Sequence, residues 1–129
     1  MNASYAAAIK QYFQMWETSD FAKLDELFTP DCLYAESDGA VYHGLDQIKQ
    51  WIADKGVTPF PAVWTTHNWF FDGHVAVVTW TFATGASSQD KVDGVSIIAF
   101  NRHGQIRRVR EFQAIHDRNQ PYDDVELHE

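Results

Sequence analysis

Two glutamates and one tyrosine carry most of the chemistry that this sequence offers: Glu36, Glu111 and Tyr12. A carboxyl in a partly apolar cavity has its ionised form disfavoured, so its pKa rises toward the range useful for general acid–base catalysis. Glu111 lies in the run Gln105–His116. Pairing Phe100 with Gln105 across Asn101-Arg102-His103-Gly104 predicts that Glu111 faces inward opposite Gly94. A glycine inside a strand leaves room for a ligand or a neighbouring side chain. The structural alternative for Glu111 is an ion pair with Arg107 or His67. Glu36 ends a short predicted strand, Asp31 to Glu36, and shares a face with Cys32 and Tyr34. Its alternative is a solvated carboxylate ahead of the Ser37-Asp38-Gly39 turn, with Asp38 replacing it if the register slips by two. Tyr12 lies one turn before Trp16 on an apolar helical stripe, where its alternative is a core tyrosine with a satisfied hydroxyl.

The residues expected to line a ligand cavity around these groups are Trp16, His67, Trp69, Trp80, Ser96 and Gln113. Counting back from Asp72-Gly73 pairs Trp69 with Ala76, His67 with Val78 and Thr65 with Trp80 on one apolar face. There an imidazole suits proton shuttling near neutral pH, although a satisfied core histidine is the more frequent outcome. Trp64, Trp69 and Trp80 can wall an aromatic cavity, or simply pack. Tyr12, Ser96 and Gln113 are the expected donors to a carbonyl or developing enolate oxygen. The six histidines form no i, i+2 or i, i+4 pair, and one cysteine, Cys32, makes no zinc cluster, so no metal is expected. There is no nucleophile elbow, phosphate loop or dinucleotide fingerprint, and no cofactor is expected.

Positioning these groups requires helices first and strands after. Tyr5, Ile9, Tyr12, Phe13 and Trp16 form the stripe of an amphipathic helix, and Phe21, Leu24, Leu27 and Phe28 form a second of about two turns ended by Pro30. Leu45, Ile48, Trp51 and Ile52 make a third, between Gly44 and Gly56. The period then changes to two. Ala62–Phe71 and His74–Thr84 form one hairpin, with a type I′ signal at Asp72-Gly73. Lys91–Phe100 and Gln105–His116 form another. In the second, Val95, Ile97, Ala99, Ile106 and Phe112 share the outward face, which predicts a homodimer through that sheet surface.

A chain of 129 residues fits one domain, with a core over about residues 5–116 and an acidic tail over 117–129. Hydrophobic residues make up 45% of it and aromatic residues 15%, enough to offset folding entropy by burial. The formal net charge of −8 repels phosphate backbones, so nucleic acid is not an expected partner. Arg107, Arg108 and Arg110 alternate between faces and make no single basic patch. With no basic-then-apolar leader and no long apolar run, the expectation is a soluble, cytoplasmic protein off the membrane.

The order helix, short helix, strand, helix, four-strand meander describes an α+β fold, with a cone-shaped, curved, mainly antiparallel sheet wrapped around three N-terminal helices. Phe28-Thr29-Pro30-Asp31-Cys32-Leu33-Tyr34-Ala35-Glu36, His43-Gly44-Leu45-Asp46-Gln47-Ile48 and Phe100-Asn101-Arg102-His103-Gly104-Gln105-Ile106 resemble the nuclear transport factor 2-like superfamily, in its SnoaL-like and ketosteroid-isomerase-like branches. The resemblance covers roughly Tyr5 to His116 and implies a cystatin-like α+β roll. It also implies that Tyr12 matches the oxyanion-binding tyrosine of ketosteroid isomerases and Glu36 their carboxylate base. Their protonated aspartate falls on Ser96, a weaker donor, which argues against steroid isomerisation itself. The implied function is binding of a small apolar carbonyl compound in the cone. The accompanying activity is cofactor-independent isomerisation, dehydration or cyclisation, the alternative being a non-catalytic ligand-binding or interaction domain.

Overall fold

The computed structural model describes residues 3–55 and 63–123. Helix α1 (Ala3–Thr18) buries Tyr5, Ile9, Tyr12, Phe13 and Trp16, the stripe read from the sequence. Helix α2 (Leu24–Leu27) is a single turn, shorter than expected, because Phe28 already adopts an extended conformation (φ −110°, ψ 150°). Strand β1 (Phe28–Ala35) therefore starts earlier than predicted and runs through Pro30. The proline is tolerated because its register with the neighbouring strand is interrupted between Phe28 and Leu33. Strand β2 (Val41–His43) is a short edge strand that the sequence did not announce, and helix α3 (Leu45–Lys55) follows it. The meander comprises β3 (Val63–Asp72), β4 (Val75–Ala83), β5 (Lys91–Phe100) and β6 (Ile106–Ile115).

The six strands form one curved, open sheet in the order β2-β1-β6-β5-β4-β3, antiparallel except for the parallel pair β1 and β6. The expected α+β architecture is present, with α1, α2 and α3 contributing to a core that includes Ile9, Tyr12, Phe28, Ile48, Trp80, Ile98 and Val109. No helix among the described residues is long and apolar enough to cross a membrane. The predicted acidic tail is described only as far as residue 123.

Both hairpin registers differ from expectation. In β3–β4 the two-residue loop is Gly73-His74, with Gly73 at φ 60°, so Asp72 pairs with Val75 and Trp69 with Val78. An irregularity between Thr66 and Asn68 then leaves His67 unpaired and sets Thr66 against Trp80 and Trp64 against Phe82. Trp64 thus turns inward and His67 outward, correcting the expectation that His67 lies on the apolar face.

In β5–β6, Phe100 pairs with Ile106 and the next pair is Ala99 with Arg108, leaving Arg107 as an extra residue. The longer loop and the bulge each displace the expected register by one. Glu111 accordingly keeps its inward face but stands opposite Ser96, while Gly94 stands opposite Gln113. Ile106 and Ala99 are buried, with Ile106 in the core, so neither belongs to the exposed outward patch.

Candidate functional site

The inner face of the sheet brings four elements to one carboxyl group. Glu111 on β6 receives the hydroxyl of Tyr12 from α1 at 2.6 Å on Oε2 and that of Tyr34 from β1 at 3.0 Å on Oε1. Ser96 on β5 donates to Oε2 at 2.9 Å and itself accepts the indole N–H of Trp80 on β4, also at 2.9 Å. Tyr12 and Tyr34 hydroxyls stand 2.6 Å apart, and both residues are enclosed, at 0% and 1% exposure. The position opposite Glu111 is thus not the predicted glycine gap. At Gly94 a Cβ would overlap the Trp80 ring, so the missing side chain makes room for tryptophan rather than for a ligand.

Burial pushes the Glu111 carboxyl above its ordinary 4.5, opposed in part by the bonds from Tyr12, Ser96 and Tyr34. The Tyr12 and Tyr34 phenols are raised well above 10, first by burial and then by the Glu111 charge. Counting protons sharpens this picture. With the carboxylate ionised, the two phenolic protons serve only two of the three contacts among Glu111, Tyr12 and Tyr34, and one edge holds no proton. With the carboxyl protonated on Oε1, that group donates to Tyr34, Tyr34 to Tyr12 and Tyr12 to Oε2. Every edge of the oxygen triangle then holds one proton.

Glu36 follows β1, half-buried beside β2. It accepts a hydrogen bond from the Tyr42 hydroxyl on β2 at 2.9 Å. Burial raises its pKa, with further increases from the charges of Asp38 and Glu111, while Tyr42 and Lys55 oppose the shift. The Tyr42 phenol is pushed up to about 12, mainly by burial and then by the bond to Glu36. Aromatic rings surround this end: Trp16 and Trp51 lie 5.3 Å apart, Tyr34 and Trp51 also 5.3 Å, and Tyr42 stacks on Trp51 at 4.5 Å. The Trp16 indole N–H is buried and has no hydrogen-bond partner among the described residues.

Of the residues nominated from sequence, Tyr12, Trp80, Ser96 and Glu111 therefore meet directly, and Trp16 packs against Tyr12 at 6.4 Å. Trp69 packs against Phe71, and Gln113 is exposed near the end of β6. His67 lies across the sheet, 2.7 Å from Thr81, which donates to Asp93 at 2.7 Å. His116 also bonds Asp93, at 2.9 Å. These residues border a surface hollow of about 500 Å³ that also includes Phe112 and Arg118. Neither Arg107 nor His67 is the partner of Glu111, since Arg107 donates to the Phe100 carbonyl at 3.3 Å. Cys32 is buried and its thiol is pushed up to about 11, mainly by burial, which keeps it from acting as a thiolate.

The sequence reading missed Tyr34, Tyr42, Trp51 and Lys55 as site residues. Two signals were present: Tyr34 shares a strand face with Glu36, and Trp51 belongs to the α3 stripe. Tyr42 became visible only with β2. Among the described residues no cluster of His, Cys, Asp and Glu is arranged to hold a metal ion.

A curved open sheet over N-terminal helices, with a tyrosine-bonded carboxyl on its inner face, defines a nuclear transport factor 2-like α+β roll. The chain belongs to the SnoaL-like domain family, whose model matches residues 9–109. No curated protein matches it in sequence. Among solved structures it is similar to a candidate polyketide cyclase from Sinorhizobium meliloti, with TM-score 0.67 and 23% identity over 81% of this chain and 93% of that one. An NTF2-like protein of unknown function from Burkholderia xenovorans gives TM-score 0.75 and 12% identity over 95% and 91% of the two chains. A candidate ketosteroid isomerase from Kribbella flavida gives 0.71 and 18% over 92% and 83%. At these identities the likeness is one of fold.

Proposed function

We propose that the protein binds a small, largely apolar carbonyl compound at the open end of the roll and moves a proton on it without a cofactor. Glu36 is the base, and the protonated Glu111 supplies a third proton to the triangle, so that one of its O–H groups can turn from its internal acceptor to the developing oxygen charge. The oxygen triangle carries this reading, because it has a place for one proton more than two tyrosines supply. Isomerisation, dehydration and ring closure all begin with such a transfer.

The direct test follows deuterium exchange at the α-carbons of cyclohexanone and related cyclic ketones in D2O by NMR, which needs no knowledge of the natural substrate. The expected result is exchange above buffer that falls about 100-fold or more in Glu36→Gln and is also depressed in Glu111→Gln. Equal exchange in both variants would overturn the assignment of roles.

A second reading, ligand binding without chemistry, has one observation in its favour: both Glu111 oxygens are already engaged by hydroxyls from within the fold. It predicts ketone binding by wild type with exchange no faster than buffer.

We also infer that two copies pair through the outer sheet face. Phe70, Ile97 and Phe112 stand 58%, 37% and 45% exposed there. Sedimentation equilibrium should give a dimer at micromolar concentration and a monomer for Ile97→Asp, and a wild-type monomer would count against it.

A further inference from the structure

The aromatic cluster near Glu36 also holds a cation. Lys55, exposed at the C-terminal end of α3, places its ammonium over two indole faces, 5.2 Å from the Trp16 centroid and 5.9 Å from that of Trp51. Both distances fall in the range where a cation is drawn to an aromatic quadrupole. The planes of the two indoles are inclined by 57°, so two electron-rich faces serve one position. Tyr42 stacks on the second indole and donates its hydroxyl to Glu36. Lys55 acts on the Glu36 charge, and the nearby Asp38 adds a second negative charge.

This combination discriminates between ligand classes. Indole faces and the carboxylates of Glu36 and Asp38 repel an anionic group, and a purely apolar ligand gains nothing from the carboxylate. An ammonium carrying alkyl groups satisfies both parts, because its methyl groups pack on the rings while its charge is held by the faces and by Glu36. Tyr34 connects this position to the proton network. Its ring lies 5.3 Å from Trp51 and 6.4 Å from Trp16, while its hydroxyl donates to Glu111.

We propose that the position held by the Lys55 ammonium is a subsite for the alkylammonium group of a small molecule, and that Lys55 is a tethered occupant which such a ligand displaces. The proposal rests on the reading that the open end of the roll admits a small molecule, and it names the ligand class: a tertiary or quaternary amine whose remainder extends toward Tyr34 and Glu111.

The test compares choline with its neutral isostere 3,3-dimethylbutan-1-ol, using tryptophan fluorescence and ligand-detected NMR on the wild type, Lys55→Gln and Glu36→Gln. Choline should bind at least about 10-fold more tightly than the isostere. Lys55→Gln, which vacates the position, should tighten choline binding about 5- to 10-fold, and Glu36→Gln should weaken it by a similar factor. Equal binding of the two probes overturns the cation subsite while leaving an apolar mouth intact. Weaker or unchanged choline binding by Lys55→Gln overturns the displacement by Lys55, and no choline binding by any form overturns the whole proposal. Ketone exchange reports separately on the proton network, so exchange without choline binding defeats this inference alone. Choline binding without exchange defeats only the catalytic reading.

Discussion

The floor and the mouth of the roll each hold one glutamate whose pKa burial raises, and they differ in what opposes that shift. At the floor, Glu111 is opposed by three hydroxyls fixed on α1, β1 and β5, with Trp80 filling the space above Gly94. At the mouth, Glu36 is opposed by one phenol on a three-residue edge strand and by the charge of an exposed lysine. Hydrogen bonds from packed elements hold a carboxyl in one geometry, whereas a flexible ammonium can leave when something replaces it. The difference suits the two roles proposed: a preorganised donor network needs the first arrangement, and a group that must meet and release a ligand needs the second.

The largest test of that difference is truncation. Glu111→Ala strands Tyr12, Tyr34 and Ser96 without their acceptor, and at about 1–3 kcal/mol per buried orphan the loss should reach at least about 3 kcal/mol in urea unfolding. Glu36→Ala removes one partly exposed bond and should cost less than about 1 kcal/mol. If the two truncations cost the same, floor and mouth are not distinct. Next in size is Gly94→Ala, which forces a methyl group into the Trp80 ring and should cost about 1–3 kcal/mol. That cost should largely vanish in a Trp80→Leu background, and an undiminished cost there would mean that the strand itself requires glycine. Smaller again are Tyr12→Phe and Tyr34→Phe, at about 1–2 kcal/mol each. Because they share one oxygen triangle, their double-mutant cycle should show coupling above about 0.5 kcal/mol, and simple additivity would break the triangle into independent bonds.

The two hairpins explain how much of this was legible in the sequence. Periodicity identified both, and in β5–β6 two single-residue displacements, one from the loop and one from the bulge at Arg107, cancelled in parity. Glu111 therefore stayed on the predicted face although its partner changed from Gly94 to Ser96. In β3–β4 the loop displaced the register by two and the bulge at His67 took back one, which moved His67 across the sheet and brought Trp64 inward. Neither bulge has a compositional marker, because His67 and Arg107 are ordinary strand residues and the extra residue is set by how the curved sheet closes on the helices. Tyr12 was readable because helical stripes depend only on local spacing. The aromatic mouth was not, because Tyr42 reaches it on a three-residue edge strand and Lys55 reaches it from the end of α3.

The smallest effect is also the one that asks directly where the extra proton is. Glu111 titrates above its ordinary 4.5 in the folded protein, so just above that pH the folded chain keeps a proton that the unfolded chain has released. The resulting stability is fully present below 4.5 and is lost as pH rises through the raised folded value. Glu36 contributes with the same sign from its more exposed position. Asp93 is depressed from 3.8, first by the bond from His116, so its contribution is present above 3.8 and fades only at more acidic pH. Urea unfolding from about pH 4 to 8 should therefore show wild type losing stability relative to Glu111→Gln as pH rises, with a weaker trend for Glu36→Gln. A difference that stays flat, or that grows in favour of wild type, would mean that Glu111 ionises freely inside the fold. The three contacts among Glu111, Tyr12 and Tyr34 would then share only the two phenolic protons.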